Sequence, residues 1–274
     1  MFKIIFLLSC FFSALWSVDI AILRYDKRLY QPYYVKTLEP VFKVVVWNVD
    51  LVQGNIGGHY PAFSLDLPSL CNRANSSFAI QAGFNGLILS SLLNKGNMAF
   101  DLESIDAMFG GYADFRFWIF SASVSYAHRC AHLSEGVYNR LDTYANSLTA
   151  KRYSREYLEF DLDVHLRDVR FYAEWQKSAK LYHAYKDTRN LMTWRLGAEY
   201  WFTGLKYLHP YLGAELSAST ETEYRITQAA EIGISIVNKS QFKIFADFFN
   251  GVDPRGNFHT SVVRKLGFGI AYTY

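Results

Sequence analysis

The residues best equipped for chemistry fall together in Ala127-His128-Arg129-Cys130-Ala131-His132-Leu133-Ser134-Glu135. A histidine supplies a general base, and Cys130 and Ser134 supply two nucleophiles, the ingredients of acyl transfer. A local cluster becomes a site only when a third group is shown to hold the base, so no catalytic residue is assigned here. The plainer reading makes His128 and His132 interface and loop residues. Other candidates are weaker. Gly54-Asn55-Ile56-Gly57-Gly58 lacks the strand-to-helix context of a phosphate loop. Glu159, Asp161 and Asp163 have a metal-like composition, but alternate acids on one wall of a barrel are expected to pair with arginine. Cysteines 10, 71 and 130 have no metal-ligand spacing, and His183 and His259 read as loop residues. Neither a metal nor a cofactor is expected.

The elements that must position these residues are strands. From residue 41 onward the dominant signal is period-two alternation in segments of about ten residues with polar or glycine-containing breaks. In residues 158 to 167, Leu158, Phe160, Leu162, Val164 and Leu166 share one face, and Glu159, Asp161, Asp163, His165 and Arg167 share the other. Segments around residues 194–202, 212–218, 230–236 and 266–274 alternate in the same way, and no apolar-face position in the five is charged. Weaker segments near 41–48, 53–66, 77–90, 104–116, 117–130, 169–180 and 241–252 bring the expectation to twelve strands.

The 274 residues are 51% hydrophobic and 18% aromatic, with 28 basic against 25 acidic side chains. A net charge of +3 leaves no footprint for nucleic acid. Residues 1 to 17 (MFKIIFLLSCFFSALWS) read as a secretory signal, with Lys3, an apolar run from Ile4 to Phe12 and small residues before cleavage after Ser17. Beyond them no apolar run is long enough for a transmembrane helix, so a membrane would have to be crossed by strands. Val18 to Pro40 lacks clean alternation and is expected to form a periplasmic extension or plug, with Tyr30, Tyr33 and Tyr34 either packed or idle.

A soluble sandwich could also present charged faces to water. Aromatic residues at segment ends favour lipid outside and a polar interior. Hydrogen-bond satisfaction in hydrocarbon requires a closed sheet. The expected fold is therefore an all-β transmembrane antiparallel barrel over residues 41 to 274. An even strand number puts both termini on the periplasmic side. The terminal KLGFGIAYTY places Gly269, Tyr272 and Tyr274 in the Gly-x-x-aromatic-x-aromatic pattern that resembles the signal read by the bacterial barrel-assembly machinery. The expected location is the outer membrane, in contact with its lipid.

With the apolar faces outward, the lumen receives Asp106, Asp114, Glu159, Asp161, Asp163, Glu174, Glu199, Glu215, Glu231 and Asp247, with Arg116, Arg129, Arg167, Arg170, Arg195, Lys243 and Lys265. Both signs on neighbouring strands favour ion pairs filling the lumen over a wide pore. The same phasing puts His128 and Cys130 beside Tyr126 on the lipid face. That placement resembles outer-membrane phospholipase A, a twelve-stranded barrel in which a His-x-Ser pair sits on the outer wall and an Asn from the next strand orients the His. Here Cys130 stands for Ser, and the next strand begins with Ser154 where Asn is wanted. His128 to Glu135 (HRCAHLSE), Phe248 to Phe258 (FFNGVDPRGNF) and the closing strand also resemble the bacterial outer-membrane family called domain of unknown function 1207. That family implies location and fold and carries no established activity. The expected role is structural or interaction-based, or that of a narrow pore. The alternative is a lipid-modifying hydrolase using His128 with Cys130 or Ser134.

Overall fold

The computed structural model describes residues 19–22, 29–36, 38–48, 50–67, 78–97, 99–134, 153–182, 191–237, 240–258 and 261–273. The expected signal segment, Cys10, Cys71, Glu135, His183, His259 and Tyr274 lie outside them. Thirteen strands run in chain order: β1 (Asp19–Ile22), β2 (Phe42–Trp47), β3 (Leu51–Leu67), β4 (Phe78–Asn94), β5 (Phe100–Phe117), β6 (Phe120–Leu133), β7 (Tyr153–Leu166), β8 (Val169–Tyr182), β9 (Met192–Trp201), β10 (Leu208–Ser219), β11 (Thr227–Val237), β12 (Gln241–Val252) and β13 (Val262–Thr273). From β2 to β13 each strand pairs with its chain neighbour, all antiparallel, and β13 returns to β2 with Gly267 opposite Trp47 and Tyr272 opposite Phe42. The result is a closed twelve-stranded barrel, as the alternation implied.

The barrel is inverted relative to a water-soluble protein. Leu162, Leu196 and Phe268 face outward at 63, 63 and 68% exposure, whereas Arg170, Glu231 and Asp114 face inward at 0%. Burying so many charges is tolerable only where each finds a partner, and leaving so many large apolar side chains exposed is tolerable only where the surroundings are apolar. Among the described residues no helix is long and apolar enough to cross a membrane. One end of the barrel carries two-residue hairpin turns at 118–119 and 167–168, with Trp118 and Arg167 in the left-handed region at φ 57 and 55°. That conformation matches the twist of tightly connected strands, which offsets its strain. The opposite end carries the connections after β6, β8, β10 and β12.

The strand ends account for two departures from the sequence reading. Arg167, expected in the lumen, lies in the turn after β7 and is exposed, because the strand stops at Leu166 and the inward-outward rule no longer applies. Arg116, one residue from the end of β5, is likewise exposed at the rim.

β2 is short and covers only residues 51 to 55 of β3. The far end of that edge is taken by β1, which pairs Asp19 to Ile22 with Asp66 to Phe63. Pro61 falls between these two partners and at a register shift, a place where its missing N–H costs no ladder bond. Residues 29–36 and 38–41, between β1 and β2, run through the barrel interior. Tyr30, Tyr33, Val35, Glu39 and Val41 are buried there against residues from opposite walls.

Candidate functional site

The lumen is held together by three cationic centres that link the inner segment to the wall. Arg170 is fully buried, 2.6 Å from Asp163 and 3.4 Å from Glu199. It also donates to the backbone carbonyls of Gln31 (2.7 Å) and Pro32 (3.3 Å). The Tyr33 and Tyr30 rings lie 4.7 and 5.1 Å from its guanidinium carbon. Its planar fork can serve carboxylate, carbonyl and aromatic face at once, which a lysine could not do.

The second centre belongs to the inner segment. Lys36 reaches Glu159 at 3.0 Å and Glu174 at 2.9 Å, while Tyr33 donates to Asp161 at 3.0 Å. Glu159, Asp161 and Glu174 place carboxylate oxygens within 4.8 Å of one another, close enough to hold a metal ion. Two of the three instead receive the Lys36 ammonium, and Arg195 contacts Glu174 as well and lies 3.6 Å from Glu215. Tyr172 donates to Glu215 at 3.0 Å.

The third centre is on the opposite wall. Lys43 pairs with Glu231 at 2.8 Å and Asp247 at 3.3 Å, and Lys243 pairs with Glu231 at 3.3 Å. Tyr34 of the inner segment lies 3.8 Å from the Lys243 ammonium, and its N–H donates to Glu199 at 2.6 Å. Space is made for the segment by small residues: a Cβ on Gly213 would meet the Val35 side chain at 2.6 Å, and Gly197 lies under the Tyr172 ring. Cavities of only about 30 and 20 Å³ border the segment.

The connection after β12 covers the other mouth. Asp253-Pro254-Arg255-Gly256 folds inward, with Arg255 2.7 Å and Lys265 3.3 Å from Asp253 and Arg255 also touching Glu103. Gly256 donates its N–H to Asp106 at 2.8 Å, and Arg129 bridges Asp106 to the Pro254 carbonyl at 2.5 Å. Between this loop and Lys36 remains a cavity of about 140 Å³ lined by Arg129, Arg155, Arg195 and Glu215 among others.

Of the residues singled out from sequence, Glu159, Asp161, Asp163, Arg170, Glu174, Arg195, Glu199, Glu215, Glu231, Asp247 and Lys265 face this interior. Lys36, Lys43, Asp253 and Arg255 were not among those singled out. The lysine of an irregular segment and the ion pair of a loop have no periodicity to announce which way they point. At the closing strand, Tyr272 faces outward opposite Phe42, and Gly269 faces inward beneath the Phe245 ring, where a Cβ would lie 2.5 Å from the ring.

On the outer wall, His128 and Cys130 face outward next to Tyr126, while Ala127, Arg129 and Ala131 face in. The β6–β7 register sets Glu156 directly opposite His128 and Ser154 opposite Cys130. Ser154 Oγ lies 3.4 Å from His128 Nε2, and Glu156 Oε1 lies 3.8 Å from Nδ1. Tyr126 donates to Glu156 Oε2 at 2.8 Å, and the Phe109 ring lies 5.1 Å from the imidazole. Ser134 follows the last residue of β6, six residues and about 20 Å of extended chain from His128. Its hydroxyl donates to the Leu102 carbonyl. The histidine and its expected nucleophile Ser134 are therefore not brought together.

No family model matches the chain, so the membership in domain of unknown function 1207 suggested by its motifs is not supported there. No curated protein matches either. Among solved structures, outer membrane phospholipase A from Escherichia coli superimposes with a TM-score of 0.51 at 13% identity, over 88% of this chain and 92% of that one. The Salmonella typhi outer membrane phospholipase dimer with bound calcium gives 0.49 at 12% identity, over 91% and 94%. At these identities the likeness is one of fold, and the fold is that of bacterial outer-membrane barrels.

Proposed function

We propose that this chain is an outer-membrane barrel of structural or interaction type, exported through a signal cleaved after Ser17 and inserted by the assembly machinery that reads its closing strand. Its lumen is sealed. The observation that carries this reading is the seat of Lys36, whose ammonium occupies the carboxylate cluster of Glu159 and Glu174 and pins the inner segment across the bore. A pore of this strand number has little width to spare once side chains fill it.

Planar-bilayer recording tests the reading. The wild-type protein should give no steady current steps, and Lys36→Glu, which replaces the pinning cation by a fourth acid, should give cation-favouring steps. Regular single-channel steps from the wild type would replace the sealed barrel by a narrow pore. Heat-modifiable gel mobility and fractionation with the outer envelope test the location.

A further inference from the structure

We propose that the loop end of the bore carries a binding site for a compact oxyanion, a carboxylate or phosphate borne by a small sugar, with the Arg129 and Arg155 guanidinium groups as its anion-binding pair. The site does not depend on whether the bore conducts. Ligand titration and current recording read different properties and can fail separately.

Three observations carry this. The first is a juxtaposition of like charges. The β6–β7 register sets Arg129 directly opposite Arg155, and both lie on the inner face. Cations facing each other across a strand pair repel. Each has an acid of its own, Asp106 for Arg129 and Glu221, at 3.2 Å, for Arg155. Those acids leave donors over. Arg129 and Arg155 are only 8 and 6% exposed, yet Nε of Arg129 and Nη2 of Arg155 have no acceptor among the described residues. A buried charged donor left unpaired is costly, and one oxyanion accepting from both arginines satisfies the donors and cancels the repulsion.

The second is space. Both arginines line the cavity of about 140 Å³ between the β12–β13 connection and Lys36. One water occupies about 10–15 Å³ of such space, so this cavity admits a small molecule. The spaces of about 30 and 20 Å³ beside the inner segment admit only a water or two.

The third is the chemistry of the lining. Lys36, Arg195 and Arg225 join the two arginines there, so five cations stand against three acids, an excess of two positive charges. The acids are already engaged: Glu221 by Arg155, Glu215 by the Tyr172 hydroxyl, and Asp253 by Arg255 and Lys265. A cleft with spare positive charge draws in an anion. Thr193, Ser217 and Thr227 add hydroxyls that can both donate and accept, and Tyr153 adds a ring, a lining matched to the hydroxylated edge and apolar face of a sugar.

Folded full-length protein in detergent micelles is titrated calorimetrically with glucuronate, glucose 6-phosphate and uncharged glucose. At least one acidic sugar should bind about tenfold or more tighter than glucose, and the responding arm separates carboxylate from phosphate. Arg155→Gln should weaken that binding about tenfold or more, and Arg155→Lys, which keeps the charge but not the fork, should recover part of the loss. Ser217→Trp, which fills the cavity without removing a charge, should abolish binding. Arg116→Gln, at the opposite rim, should leave it unchanged. Heat-modifiable mobility identifies variants that have folded. Folded wild type that binds neither acidic sugar more tightly than glucose overturns the proposal, as does binding unchanged by Arg155→Gln or by Ser217→Trp.

Discussion

Val35 shows how a single missing side chain in the wall admits the inner segment. It is 1% exposed and sits where a Cβ of Gly213 would be. Gly213→Val should therefore displace Val35, and with it the neighbouring Lys36 and Tyr34. The expected outcome is a barrel that still folds but whose residues 29 to 41 are cut by protease far faster than in the wild type. The outward positions obey a different rule. Leu196 is 63% exposed to the surroundings of the barrel. In a bilayer, Leu196→Arg should cost about 2–4 kcal/mol near the midplane, measurable by denaturant titration in lipid vesicles. In a soluble sandwich Leu196 would lie in the dry core, and the cost would bear no relation to depth in a bilayer. What the sequence disclosed at this scale was the facing of such residues, because a period of two assigns every other side chain to one side. It did not disclose partners. Ser154 was visible at the start of the next strand, but its approach to His128 and the placing of Glu156 opposite that ring depend on the register of β6 against β7, across an intervening connection from 134 to 152.

Elements differ in how firmly their own residues define them. β12 has the span expected for it, 241 to 252, and β7, β11 and β13 extend their strongly alternating segments by up to five residues, whereas the segment from 29 to 41 has no repeat at all because its contacts are chosen one at a time by several strands. The loop after β12 is intermediate, conspicuous as VDPRG but with its inward fold decided by Asp106, Glu103 and Lys265 far away in sequence. Its clamp should respond to acid. Burial raises the Asp253 pKa, but hydrogen bonds from Arg255 and the charges of Arg255 and Lys265 outweigh that and hold the carboxyl below the usual carboxylate range. A lowered folded value means the clamp contributes fully above the ordinary value of about 3.9 and is lost as pH falls through the lower one. Hydrogen exchange at residues 253 to 258 should stay slow from pH 7 down to about 4 and accelerate only below that. Asp253→Asn should give fast exchange throughout.

For the whole molecule, the charges that would make a soluble protein implausible become its interior scaffold. The closing pair β13 and β2 meets over the short stretch from Phe42 to Trp47. Removing residues 266 to 274 should leave a chain that fails to show heat-modifiable mobility, since two open edges would remain in hydrocarbon.

That seam also orders events in time. Residues 29 to 41 are synthesised before any barrel strand, yet they finish enclosed by strands made after them, the last of which is the one that shuts the ring. Drawing a charged, tyrosine-laden tether through a finished cylinder would mean stripping water from Lys36 on the way. Wrapping the staves about it avoids that journey, so the tether serves as the mandrel on which the cask is raised.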